Sequence, residues 1–251
     1  MHTVKAITLA GLTLLTLSTA QAVELNDQFG LVITPKIVSD YRSSGISQTL
    51  GDPAAQLDLM LTHASGLYAG AWTTNVDFGK FIDEEGNDHS FNTRQEVDYY
   101  AGYYWQLTDD ISLDTMYGKY TYPGESQFNS SDITATLDMY GVFLGAKHTV
   151  DTDEDTFTSF IGYHTQLPFE VGFEARFENV DYKDEAFFNR DFSHAEEDYN
   201  NWSLGLTRDL VGVTWGLSYV DTDLSDSECL SFSGYDDLCS ATLVVSASKT
   251  F

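Results

Sequence analysis

The chain has 251 residues, with 39 acidic and 12 basic side chains and a formal net charge of −27. That balance excludes a nucleic-acid binder working through a basic surface, and 42% apolar residues exclude a disordered acidic chain. Aromatic residues reach 14%, beside 19 glycines and only 4 prolines, which suits extended β-structure and not a helical bundle.

Residues 1–22 read as a signal peptide. Lys5 supplies the positive start, Ala6 to Leu17 an apolar stretch, and Ala20-Gln21-Ala22 a small-residue cleavage site. The apolar stretch is too short to cross a bilayer as a helix. Cleavage after Ala22 leaves 23–251 as a single exported domain.

From there, alternation dominates. Strands are predicted near 31–42, 54–64, 67–77, 95–107, 111–122, 132–149, 157–167, 169–181, 199–208, 211–221 and 240–251. In the fourth, Val97, Tyr99, Ala101, Tyr103 and Trp105 alternate with Glu96, Asp98, Tyr100, Gly102 and Tyr104. In the eighth, Phe169, Val171, Phe173, Ala175 and Phe177 alternate with Glu170, Gly172, Glu174, Arg176 and Glu178. Period two marks a strand with one apolar and one polar face, and about ten residues is what a tilted strand needs to cross a membrane.

The connections separate a membrane barrel from a soluble sandwich. Ser65-Gly66, Thr108 to Asp110, Leu167-Pro168 and Asp209-Leu210 are tight turns, whereas 42–53, 78–94, 124–131, 150–156, 183–198 and 222–238 are mostly longer and polar. Short turns at one end and long loops at the other are the habit of outer-membrane barrels, whose bacterial members have even strand numbers. Eleven segments are therefore one too few. The 132–149 run is too long for one crossing and loses register around Tyr140 to Gly145. A hairpin there gives twelve strands, in an all-β, closed antiparallel transmembrane barrel with both termini and the short turns in the periplasm. The last strand alternates through Ala241, Leu243, Val245, Ala247 and Lys249 to Phe251, an ending suited to recognition by a barrel-assembly machinery.

Charged side chains are costly toward lipid, so the polar strand faces should line the lumen. The pore-lining candidates are Asp58, Arg94, Glu96, Asp98, Glu170, Glu174, Arg176 and Glu178. They could form an ion-selective constriction, or a salt-bridge network that merely fills the barrel. Tyr68, Trp72, Tyr103, Trp105, Tyr163, Trp202, Trp215 and Tyr219 are candidates for aromatic girdles in outer-membrane lipid and lipopolysaccharide.

The long loops hold more than half of the 39 acidic residues, a rim that would attract cations. Asp151-Thr152-Asp153-Glu154-Asp155 has the density of a calcium loop, but Thr156 stands where glycine is required and Gly162 where a bidentate Glu is required. Cys229 and Cys239, close together in an exported chain, suggest one local disulfide, and no His beside them suggests a metal site. His63 and Ser65 are near in sequence, but a short turn is the wrong end for a barrel hydrolase. No cofactor motif or phosphate loop is present, so the chain reads as a non-enzyme.

Val38-Ser39-Asp40-Tyr41-Arg42, Gly45-Ile46-Ser47-Gln48-Thr49 and Asp52-Pro53-Ala54 resemble the opening of the TorF-like porins, a proteobacterial family also catalogued under a conserved-hypothetical label. Further matches are Ser65 to Gly70 with Trp72, Asn75-Val76-Asp77, Tyr120 to Gly124, Tyr219 to Asp223, both cysteines and Ser248 to Phe251. Ser43-Ser44 departs from the pattern, where an aromatic–Arg pair is expected. The resemblance implies an outer-membrane barrel. The expectation is a porin-like channel in a Gram-negative outer membrane for passive diffusion of small hydrophilic solutes or ions, with a preference for cations. Its rivals are a structural or surface-interaction barrel with a blocked lumen and, behind that, a barrel enzyme.

Overall fold

A computed structural model describes residues 23–82, 88–151, 156–191 and 193–251. Residues 1–22, read above as a signal peptide, and Thr152 to Asp155 lie outside the described residues.

Twelve strands form the wall: β1 Phe29–Val38, β2 Ala54–His63, β3 Leu67–Asn75, β4 Gln95–Thr108, β5 Ile111–Thr121, β6 Ser130–Met139, β7 Val142–Thr149, β8 Phe157–Leu167, β9 Val171–Asp181, β10 Asp198–Leu210, β11 Val213–Thr222 and β12 Thr242–Ser248. Each pairs antiparallel with its neighbour in the chain, and β12 returns to β1, so the sheet closes. The closing seam has the fewest paired residues. It pairs Ser246 with Val38, Ala247 with Ile37 and Ser248 with Lys36. Beyond Pro35, whose carbonyl accepts from Lys249, Ile33 and Phe251 exchange both backbone hydrogen bonds at 3.2 and 3.0 Å. The terminal residue thus belongs to the ladder. Closure matters because an open edge would leave backbone groups unpaired in hydrocarbon.

Period two sorts the side chains as the sequence predicts. Leu59 and Leu61 point outward at about 40% exposure, while Met60 between them is 1% exposed. The outer surface carries Ile133, Leu144, Ile161, Phe177, Leu204, Leu217 and Val245, all exposed. An apolar outside around a polar inside is the arrangement a bilayer-spanning barrel requires. The hairpin expected inside 132–149 lies at Tyr140-Gly141, between β6 and β7.

Tight hairpins need backbone with positive φ, which glycine supplies without strain. Gly66, Gly141 and Gly212 do so. Tyr140 and Val211 also adopt positive φ, 56° and 57°, despite their bulk. The turn after β8 was expected at Leu167-Pro168; it uses Phe169 and Glu170, both with positive φ, so β9 begins at Val171 and not at 169.

One long loop contains a helix that the strand pattern did not anticipate, α1 Asp226–Ser233. Ser225 and Glu228 form a capping box and Gly234 ends the helix in the left-handed region. The expected disulfide joins Cys229 on α1 to Cys239 beyond it.

Two outcomes follow. Val211→Asn should stabilise the barrel by about 1 kcal/mol, since Asn tolerates the left-handed region where a β-branched side chain does not; urea unfolding from lipid vesicles measures it. The double variant Cys229→Ser, Cys239→Ser should still fold and insert, because so short a loop contributes only roughly 2–3 kcal/mol through its disulfide. Failure to insert would show that the cap directs barrel formation.

Candidate functional site

The interior begins with a brace built across glycine. The Tyr100 hydroxyl on β4 donates to Asp58 on β2 at 2.6 Å, and the Tyr68 hydroxyl on β3 donates to Asp114 on β5 at 2.8 Å. Each bond spans two strands. The strand between offers a glycine at the crossing: Gly70 pairs with Tyr100 and Gly102 with Tyr68. A Cβ at either glycine would collide with the phenol above it. Val32, Met60 and Met116 pack with these rings into an apolar cluster inside the barrel.

The device recurs across the lumen without the acids. Phe160 lies over Gly145 and Phe143 over Gly162. Phe160 carries the Arg176 guanidinium 3.9 Å above its ring centre, and Arg176 donates to Glu178 at 2.8 Å. Nearby, His164 meets Asp138 at 2.5 Å and Lys147 lies 3.5 Å from Asp132. Among the described residues, inward carboxylates (Asp58, Glu96, Asp98, Asp114, Asp132, Asp138, Glu174 and Glu178) exceed the inward fixed cations Lys36, Lys147 and Arg176.

Toward the long-loop end the lumen is sealed by the 39–53 segment. Arg42–Ser43 and Ile46–Ser47 pair as a miniature hairpin around Ser44-Gly45, both with positive φ. Asp40 holds it from within, accepting from Arg42 Nε at 2.7 Å, the Ser47 hydroxyl at 2.6 Å and the Thr49 hydroxyl at 3.2 Å. Its tip reaches one wall, where the Ser44 hydroxyl donates to Glu178 at 2.6 Å and Tyr199 donates to the Ser44 carbonyl at 3.0 Å. Gly45 is pressed against Asn201 and Thr222 so closely that an added Cβ would have to push their side chains aside. The other flank places the Tyr41 ring 5.4 Å from Trp72. Burial there, with Glu96 nearby, raises the Tyr41 hydroxyl well above its ordinary pKa.

The disulfide loop covers this segment. Ser47 donates its backbone N–H to Leu238, Arg42 donates to the Ser240 carbonyl, and Ile46 enters a core with Cys229, Leu238, Cys239, Val180, Phe187 and Tyr199. In consequence, inward side chains at this level are buried, from Val38 on β1 through Thr74, Glu96, Asp132 and Thr158 to Val220 on β11.

Of the residues named from sequence, Asp58, Glu96, Asp98, Glu174, Arg176 and Glu178 face inward on β2, β4 and β9. Arg94 does not lie on a strand face. It precedes β4 at the loop end, half exposed, donating to the carbonyls of Phe91 and Thr93 and lying 3.4 Å from Asp77. Glu170 is also displaced, exposed in the turn, because hairpin closure takes Phe169 and Glu170 out of the strand. Tyr68 and Trp72, expected in a lipid girdle, belong to the interior cluster, whereas Tyr103, Trp105, Tyr163, Trp215 and Tyr219 are only partly covered or exposed on the outside. His63 Nδ1 and Ser65 Oγ meet at 2.8 Å, and the same nitrogen accepts the Ser65 N–H at 3.1 Å, so the pair closes an exposed turn.

Sequence reasoning missed Lys36, Asp114, Asp132, Asp138, Lys147 and the role of 39–53. Alternation on β1 and β5 would have found Lys36 and Asp114. The β6 and β7 residues were hidden by the unresolved register of 132–149. Nothing local in 39–53 announces that a loop turns inward.

The chain matches the family described as bacterial protein of unknown function (Gcw_chp) over residues 26–251. No curated protein matches it. Among solved structures, the NanC porin is similar with a TM-score of 0.50 at 10% identity, over 88% of this chain and 98% of that one. That likeness supports the barrel fold alone. The P. putida toluene transporter TodX aligns over 90% of this chain and 91% of its own at 12% identity, with a TM-score of 0.44.

Tyr100→Phe should lower stability by about 1–3 kcal/mol, because it leaves the buried side of Asp58 without its donor. Urea unfolding checks it, with Tyr99→Phe on the outward face of β4 as a near-neutral control.

Proposed function

The chain belongs to the Gcw_chp family, and we propose that this member is a porin-like passive channel of a Gram-negative outer membrane. In this reading the short turns and termini are periplasmic and the long loops face outward. Phe251 is the residue read by the assembly machinery, and lipid with lipopolysaccharide covers the apolar belt. The resemblance to the TorF-like porins agrees with it, and no catalytic step is assigned.

One observation carries the proposal: the closed wall is apolar outside and encloses charged side chains of both signs, with carboxylates in excess. A barrel that only had to be stable would gain little from them, since buried ion pairs seldom outperform apolar packing. Lined this way, the lumen should prefer small cations, and the acidic rim should enrich them at the mouth.

The seal favours a second reading, a barrel with a permanently blocked lumen that acts in structure or at the surface. Planar-bilayer recording separates the two. The channel reading expects discrete steps, more frequent in Gly45→Leu, whose side chain has no room against Asn201 and Thr222. It expects cation preference that declines toward about 1 M salt, where the Debye length is roughly 3 Å. Silence from both the parent and Gly45→Leu would establish the blocked barrel. Anion preference would reverse the assignment of the lining.

A further inference from the structure

We propose that Glu96 and Asp98 form an internal binding site for one monovalent metal cation, sodium or potassium, at the foot of the seal. The two carboxylates lie two residues apart on the inward face of β4. Asp98 stands in register between Trp72 on β3 and Tyr120 on β5, and Glu96 is opposite Thr74. They are 2% and 8% exposed.

The ligand is indicated by what these acids lack. Glu96 Oε1 accepts the Tyr122 hydroxyl at 2.9 Å, but Glu96 Oε2 and Asp98 Oδ1 are buried with no hydrogen-bond partner. Asp132, the next acid on the same wall, is different: it accepts from the Thr149 hydroxyl at 2.8 Å and has Lys147 at 3.5 Å. Lys147 therefore touches Asp132 and acts on Glu96 only through its charge, with no contact to either orphaned oxygen. Neighbouring carboxylates with orphaned oxygens in a buried setting must be neutralised, by a proton or by a cation beside them, and the cation is the one that two unpaired oxygens can hold between them.

The donor set selects the class of ion. Among the described residues no group of three His, Cys, Asp or Glu converges on a point, which leaves out zinc-type sites and the carboxylate-rich cages of calcium. Two carboxylate oxygens beside phenol hydroxyls are oxygen donors with few charges, a match for a weakly held alkali cation. The rings of Trp72 and Tyr41 wall the site, and Tyr41 belongs to the sealing segment, so an ion there sits where the passage narrows.

The inference deepens the cation-channel reading, but its test does not need conduction. Refolded, full-length mature protein in detergent is titrated with NaCl and with KCl, ionic strength held constant with N-methyl-D-glucamine chloride, while tryptophan fluorescence is followed. A saturable change with half-saturation in the millimolar range is expected. It should vanish in Trp72→Phe and in the double variant Glu96→Gln, Asp98→Asn, and persist in Glu174→Gln. If the double variant does not fold, Asp98→Asn alone should weaken binding at least tenfold. A flat titration, a response that follows pH but neither cation, or a response that survives these carboxylate substitutions overturns the site. Binding without conductance would instead count against the channel, and conductance without binding against the site alone.

Discussion

Every side chain that a closed barrel turns inward must be met by water or by another side chain, and this constraint organises the interior. Twelve strands enclose a wider lumen than the eight-stranded barrels that side chains just fill, so inward polar groups here find their partners along the wall. Tyr100 and Tyr68 lie flat across Gly70 and Gly102 to reach acids two strands away, and Arg176 rests on Phe160 while holding Glu178. Each glycine removes a side chain so that a ring can cross. The result is a wall whose polar groups are mostly satisfied sideways, along the sheet, instead of by filling the centre.

At the loop end the same requirement is met by backbone. The 39–53 segment brings hydroxyls, a carbonyl and a tyrosine into the mouth, and its own carboxylate Asp40 neutralises Arg42 inside it. The disulfide loop then packs over Ile46. Seal and cap are therefore one assembly, and movement of either must disturb the Ile46 core. Glu96 and Asp98, lying directly beneath, carry the unpartnered carboxylate oxygens among the described residues.

Strand positions were legible because the bilayer and the lumen impose opposite demands on adjacent residues, which writes the fold into period two. The Tyr140-Gly141 hairpin could be inferred from length alone. Legibility ended where geometry depends on partners distant in the chain. Phe169 and Glu170 continue the alternation of β9, yet the turn takes them, since closure overrides pattern at a strand end. Arg94 continues β4 by proximity but lies in the loop. Tyr68 and Trp72 are chemically suited to a lipid interface, and only register with Gly102 and Asp98 shows that they face inward. The inward course of 39–53 rests on contacts with β3, β9, β10 and β11, none of which a local pattern can encode. Helix α1 was legible in principle, through Ser225, Glu228 and Gly234, but lay inside what composition marked as loop.

The central claim is that 39–53 sits inside the barrel and controls passage. A Cβ at Gly45 would stand 2.9 Å from that of Asn201, close to disulfide geometry once the loop relaxes slightly. The direct measurement is single-channel recording of Gly45→Cys, Asn201→Cys in a background where Cys229 and Cys239 are serine, before and after reduction. The account predicts a cross-link on oxidation, silence while it holds, and openings when it is reduced. Equal conductance in the two states, or no cross-link at all, would contradict it.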